Sequence, residues 1–346
     1  MIDYTPGKPD FNILRLGHIE YLVSDLARAR DFYVDVVGLF ETESDADHVY
    51  LRAIEDREHH SVVLTRSPSP GIGHFSFRVS CEEDLERLAA KFKGLGLPMR
   101  WLEAGEERGQ GRALRVQDPF GFPVEYYAHM DQAPWMLQQY HLHRHGCPTR
   151  LDHLNVLVPD AQAGFDWYTR ELGFFCSEYT VSAPPEERVW ASWLYRKATI
   201  HDIAVMTGKG PTVHHAGFSL MEPMGVIRAC DALAAAATPT TSSAAQPATH
   251  LQRLVRLCAR PRRQPLRAVH GRLPDGGPRP GAPSLGTGQP APAKPLGHAA
   301  SASLVRGIHV RRLARRRPPA AGVRPHHPRH PDLCRLTPPS PRIPRP

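Results

Sequence analysis

Over its first 236 residues the chain keeps returning to one order of patterns: a strand-like apolar run, an acidic cap, a helix with one apolar face, then further strand-like runs. Ser24-Asp25 stands where a helix N-cap belongs. Leu26, Ala29, Phe32, Tyr33 and Val36 recur at the spacing of a single helical face, so a helix is expected over 26–36, with Gly38 ending it. Apolar runs at 49–53 and 61–65 predict strands after it. The plan recurs from Asp160 to Gly173, with strands expected over 189–194 and 203–206.

The recurrence keeps register. His18, Asp25, Tyr33 and Gly38 stand at the same mutual intervals as His153, Asp160, Tyr168 and Gly173, an offset of 135 residues throughout. Each copy is followed by a partner unit. His74 sits in a strand-like run, a helix is expected over 82–93, and 113–127 reads as strand, Asp118-Pro119-Phe120-Gly121 turn and strand. Residues 215–235 begin a fourth unit that never reaches its hairpin.

Beyond that point the pattern is lost. No Phe, Tyr or Trp follows Phe218, no Glu follows Glu222, and after Asp231 only Asp275 and Asp332 oppose 20 arginines and lysines. The overall charge of +8 therefore hides an acidic body and a strongly basic tail. Residues 237–346 lack the periodic apolar surface that offsets ordering entropy, so disorder is expected there. Two origins fit such a tail: a basic segment for nucleic acid, or translation out of frame from near Ala236. Losing every aromatic halfway through a repeat favours the second. No specific nucleic-acid partner is expected.

The six cysteines, Cys81, Cys147, Cys176, Cys230, Cys258 and Cys334, show no paired spacing, which argues for reduced thiols over disulfides or a zinc ribbon. No run approaches the ~20 apolar residues of a membrane span and no export signal is evident, so a cytoplasmic chain without a membrane partner is expected.

Histidines carry the candidate chemistry. His153 and His215 each open a strand-like run, 150–158 and 213–220, and two imidazoles on neighbouring strands supply two thirds of a facial metal site with positions left open. A lone strand histidine is more often a hydrogen-bonded structural residue, and that reading competes at each position. His201 precedes His215 by nearly the interval at which His59 precedes His74. His214 and His215 should face opposite ways, so only one can enter a site. His141, His143 and His145 alternate in a way that could hold zinc, but no Cys or carboxylate pattern flanks them, and a linker between the halves is the better reading. There is no phosphate-binding glycine loop.

The tandem module, with its histidines and with Glu125 in the closing hairpin, resembles the vicinal oxygen chelate superfamily, and within it the two-domain extradiol ring-cleaving dioxygenases. The likeness covers about residues 12–236. Its most specific pieces are Arg150-Leu151-Asp152-His153-Leu154-Asn155, the run from Ala191-Ser192-Trp193 to Ile200-His201-Asp202, and Gly210-Pro211-Thr212-Val213-His214-His215. It implies an α+β fold of tandem βαβββ modules in two open barrel-like domains, 12–132 and 149–236, the second truncated and followed by the tail.

The resemblance further implies that His153 and His215, rather than His214, ligate Fe(II), or Mn(II) as in some relatives. His201 becomes the acid–base, Asn155 a polar neighbour of the oxygen-binding position, and Trp193 part of the substrate wall. The implied substrate is a catechol, 3,4-dihydroxyphenylacetate, cleaved with O2, and relatives of this kind form homotetramers. The alternative within the same fold is a non-catalytic binding protein of the glyoxalase and bleomycin-resistance kind. The family's third ligand is a glutamate in the hairpin that the fourth unit lacks, so impaired metal binding is expected. His18, His74 and Glu125 form a full two-histidine, one-glutamate set at equivalent points of the first half. The resemblance puts the working metal in the second half, so a structural role is expected for these three.

Overall fold

The computed structural model describes residues 4–182, 185–236 and 309–312. The first half builds β1 (Ile13–Val23), α1 (Leu26–Asp31), β2 (Phe40–Ser44), β3 (His48–Arg52) and β4 (Val62–Arg66), then β5 (Gly71–Val79), α2 (Glu82–Gly94), β6 (Met99–Leu102), β7 (Ala113–Gln117) and β8 (Pro123–Tyr127). These strands form one eight-stranded sheet in the order β2-β3-β4-β1-β5-β8-β7-β6. The order is that of two βαββ β units joined back to back through β1 and β5, so the repeat seen in the sequence is a repeat in space.

The second half starts the same way, with β9 (Pro148–Val158), α3 (Ala161–Asp166), β10 (Phe175–Val181), β11 (Val189–Tyr195), β12 (Ile203–Thr207), β13 (Thr212–Leu220) and α4 (Pro223–Ala235). Its sheet runs β13-β9-β12-β11-β10-β14. Where β8 lies parallel to β5 in the first half, no described strand lies on the corresponding edge of β13. The tail otherwise falls outside the described residues. Its one described segment, β14 (His309–Arg312), pairs antiparallel with β10 at the opposite edge, where the sequence led to an expectation of disorder.

The predicted caps are formed. Asp25 accepts from the Arg28 amide at 3.0 Å, and Asp160 from the amides of Gln162 and Ala163 at 3.0 and 3.3 Å. The helix of the first module differs from its prediction in one respect. After α1 the chain widens into a π turn, Phe32–Val37, before Gly38 closes it at φ 92°. The extra residue per turn widens the inward face, so Val34 and Val37 are buried beside the expected Phe32, Tyr33 and Val36, which pack half-buried against the core. The same widening follows α3, over Trp167–Glu171.

Both halves feed one apolar core. Phe77 of β5 packs against Phe174, with ring centroids 5.4 Å apart, and Phe92 of α2 lies 6.2 Å from Trp167. Polar contacts cross between them as well: the buried Asp202 carboxylate accepts from the Leu16 amide at 2.8 Å, and Arg196 donates to the Ile13 carbonyl at 2.8 Å. Cys81, Cys147, Cys176 and Cys230 are free thiols, as expected, while Cys258 and Cys334 lie outside the described residues. Among the described residues no helix is long and apolar enough to cross a membrane.

Candidate active site

Register explains why the second-half residues meet. Trp193 of β11 pairs with Ala204 of β12, Ala204 with Asn155 of β9, and Asn155 with His215 of β13, so Trp193, Asn155 and His215 occupy one row across four strands. Paired residues share a face of the sheet, and His153, two positions before Asn155, shares it too. The rings of His153 and His215 stand 5.5 Å apart and nearly perpendicular, at 85°. His201, from the loop between β11 and β12, brings its ring within 4.1 Å of His153. His214 is exposed where His215 is buried, but a bulge between Val213 and His215 brings the Nδ1 atoms of the two imidazoles to 2.7 Å, so they do not face opposite ways as expected of strand neighbours.

Each of these side chains is held by identifiable contacts. Asp152 meets Nδ1 of His153 at 3.0 Å and accepts from Ser219 Oγ at 3.0 Å, which leaves Nε2 of His153 for the site. Burial works against the Asp152 charge, but the His153 hydrogen bond and the Lys197 ammonium outweigh it and hold this carboxyl well below the usual range. Gly217 lies opposite His153, and a Cβ there would collide with the imidazole, so only glycine lets the ring lie flat across β13.

His201 is anchored through its neighbour. Asp202 accepts from the amides of Arg196 and Lys197 at 2.7 and 3.1 Å and from Lys197 Nζ at 2.9 Å, pinning the loop that carries the imidazole. Burial, reinforced by His153, pushes His201 well below the ordinary histidine range, so its ring is neutral at physiological pH. Its Nδ1 is buried without a hydrogen-bond partner, as is Asn155 Oδ1, while Asn155 Nδ2 lies 3.1 Å from Met206 Sδ. Two oriented imidazoles fit a divalent cation in part. Among the described residues no carboxylate or other third donor joins them. His143 and His145 instead bond to the carbonyls of Leu137 and Asp35, at 3.0 and 2.7 Å, consistent with a linker.

The first half fills the same positions differently. Glu20, paired with His74, occupies the place of Asn155 beside His215, and Ser76, beside Glu125 of β8, occupies the place of Gly217. His60 lies at the position of His201, since both precede His74 and His215 by the same interval. The structure thus replaces His59 by His60 as the counterpart. Nε2 of His18 lies 2.8 Å from Nε2 of His74, 3.3 Å from Glu107 and 3.5 Å from Glu125, and His74 Nε2 is 3.6 Å from each carboxylate. Ligand atoms of all four side chains fall within 4.8 Å of one another.

Charge dominates this interior. Burial disfavours ionised Glu20, but the hydrogen bond and charge of His74 outweigh it and bring the carboxyl to about 2. Burial likewise resists protonation of His74, and Glu125 with Glu107 overcome it, raising the histidine. Arg115 donates to Glu125 and, at 3.3 Å, to Glu107. Glu107 was not legible in the sequence. It comes from the loop between β6 and β7, where Glu106-Glu107-Arg108-Gly109-Gln110 reads as a solvated charge run.

Comparison with known proteins agrees with this architecture. The Glyoxalase/Bleomycin resistance protein/Dioxygenase superfamily matches residues 15–126 and 150–253. A manganese-dependent 2,3-dihydroxybiphenyl 1,2-dioxygenase of Geobacillus genomosp. 3 is 32% identical over 64% of this chain and 73% of its own length. A metapyrocatechase of Pseudomonas sp. (strain CF600) is 31% identical over 63% and 74%. Among solved structures, homoprotocatechuate 2,3-dioxygenase from Brevibacterium fuscum in complex with 3,4-dihydroxyphenylacetate superposes with a TM-score of 0.64 at 37% identity, covering 68% of this chain and 72% of that one. Duplicated modules, a shared row of histidines and matches to both halves converge: the chain belongs to the Glyoxalase/Bleomycin resistance protein/Dioxygenase superfamily and is a homologue of its catechol-cleaving extradiol dioxygenases.

Proposed function

We propose that this chain is an extradiol dioxygenase of 3,4-dihydroxyphenylacetate working at its second-half site, with activity reduced by the missing carboxylate ligand. His153 and His215 would hold a non-haem Fe(II) or Mn(II), which would supply Lewis-acid activation of a catechol and of O2. The observation that carries the reading is the common face of His153, Asn155, His215 and Trp193, with the His201 ring against His153. The structural neighbour bound to 3,4-dihydroxyphenylacetate supports that choice of catechol, and the manganese-dependent relative keeps Mn(II) beside Fe(II).

The residues present divide the work. His201, neutral and close to His153, is placed to take a phenolic proton and return it later. The amide of Asn155 offers a polar contact next to His215, and Trp193 supplies an aromatic wall in the same row. Asp152 keeps His153 in the tautomer that presents Nε2.

The test is ring fission, followed as a yellow product, with 3,4-dihydroxyphenylacetate, catechol and 2,3-dihydroxybiphenyl in the presence of Fe(II) or Mn(II). The reading expects slow turnover, fastest with 3,4-dihydroxyphenylacetate and abolished by His153→Ala. No product with any metal, or product formation indifferent to His153→Ala, would refute it. Ligand retention without any turnover would favour a binding protein instead.

A further inference from the structure

The first-half cluster lies outside the proposed catalytic centre, and its own geometry has a meaning. We propose that His18, His74, Glu107 and Glu125 form a separate, closed site for a first-row divalent transition cation, whose role is to tie β1, β5, β8 and the β6–β7 loop together.

Spacing is the first argument. Donors about 2.1 Å from a shared tetrahedral cation stand roughly 3.4 Å from each other. The contacts from Glu125 Oε1 to His18 Nε2 and His74 Nε2, 3.5 and 3.6 Å, and from Glu107 Oε1 to His18 Nε2, 3.3 Å, lie at that edge length, while Glu107 meets His74 Nε2 through its other oxygen at 3.6 Å. The two imidazole nitrogens, at 2.8 Å, need to part by about 0.6 Å to reach it.

Orientation is the second. Nδ1 of His74 lies 2.8 Å from Glu20 Oε2, and Nδ1 of His18 lies 2.8 Å from Ser76 Oγ. The outer nitrogens are thus engaged and both Nε2 atoms turn inward, the arrangement in which a carboxylate behind an imidazole fixes its tautomer for a metal.

Charge is the third. Three carboxylates, Glu20, Glu107 and Glu125, face one guanidinium, Arg115, so once both imidazoles are neutral, as ligands to a metal must be, two negative charges remain away from water. One divalent cation neutralises them. Two imidazoles with two carboxylates suit zinc, manganese, iron or cobalt better than magnesium or calcium. Enclosure then separates structure from catalysis: His18, His74 and Glu125 are at most 1% exposed, and four protein donors leave no open position for a catechol.

The test uses the full chain stripped with chelator, loaded with Zn(II) and desalted, with zinc per chain then measured. His153→Ala/His215→Ala removes the other imidazole pair, so this inference and the proposed function fail separately. That background should keep about one zinc per chain and gain thermal stability on loading. Adding His74→Ala, or the near-isosteric Glu125→Gln, should lower zinc affinity at least tenfold. Co(II) loading of the same background gives a variant-independent readout, since a site of four protein donors should produce intense visible absorption that hydrated cobalt lacks. No zinc in the His153→Ala/His215→Ala background would overturn the inference. So would zinc retained regardless of Glu125→Gln and His74→Ala, which would place it on exposed histidines such as His141.

Discussion

Where the first half carries Glu20 the second carries Asn155, where the first has Ser76 the second has Gly217, and where β8 brings Glu125 against β5 the second half has no described strand. The backbone frame is nearly the same in both, with two histidines facing across an antiparallel strand pair. What differs is the number of carboxylates. The first half surrounds its imidazoles with acids and closes over them. The second keeps one acid, Asp152, behind His153 and sets an amide and an aromatic in the same row, with His201 standing where the first half has His60. A duplicated scaffold has thus separated a densely charged interior from a row of imidazole, amide and aromatic side chains with a single acid behind it.

The largest effect should come from breaking the charge balance of the first half. Arg115→Ala leaves Glu107 and Glu125 buried without their guanidinium, and urea unfolding of the metal-free chain should show a loss of about 3–5 kcal/mol. Zinc should recover part of that loss. A change below about 1 kcal/mol would mean that those carboxylates are already neutral, against the charge count above.

Next comes the tether behind His153. Asp152→Asn in the His18→Ala/His74→Ala background, where only the second-half site remains, should weaken Mn(II) binding by about 10–100-fold in a calorimetric titration. Converting the second half toward the first sharpens the comparison in the other direction. Asn155→Asp places a carboxylate beside His215, as Glu20 stands beside His74, and should strengthen Mn(II) binding in that background by roughly tenfold. Unchanged affinity would show that the amide-for-acid exchange is not what distinguishes the halves.

The smallest effect is a slope. Glu58 of the first half accepts from Arg15 and Arg78 at 2.6 Å and from the Tyr127 hydroxyl at 2.8 Å. Burial opposes its charge, but Arg15, Tyr127 and Arg78 outweigh burial and lower its pKa. A carboxyl lowered on folding contributes stability above its unfolded pKa, about 4.3, and loses it as pH falls through the folded value. Stability of the chain should therefore drop below about pH 4, and Glu58→Gln should flatten that acid limb. An unaltered limb would count against this assignment.

Much of this was legible in the chain itself. Periodicity and caps found the helices, and the 135-residue register found the repeat that the sheet order repeats in space. His153, His201 and His215 were identifiable because the module puts a histidine at fixed places. Three things escaped. The π turn after α1 buries Val34 and Val37 beside Tyr33 and Val36, and a pattern assuming 3.6 residues per turn cannot anticipate an added residue. The short polar strand β2, Phe-Glu-Thr-Glu-Ser, lies at a sheet edge and has no apolar alternation to reveal it. Glu107 reaches the cluster from a loop, and loop residues are placed by tertiary closure rather than by local pattern.

The claim that the second-half histidines hold the catechol-binding metal is tested most directly without turnover. Mn(II)-loaded chain would be mixed anaerobically with 3,4-dihydroxyphenylacetate and the change in the manganese paramagnetic resonance spectrum recorded. The account predicts a catechol-induced change in the wild type and in His18→Ala/His74→Ala, and none in His153→Ala/His215→Ala. A change that survives the loss of His153 and His215, or no change in the wild type, would contradict it.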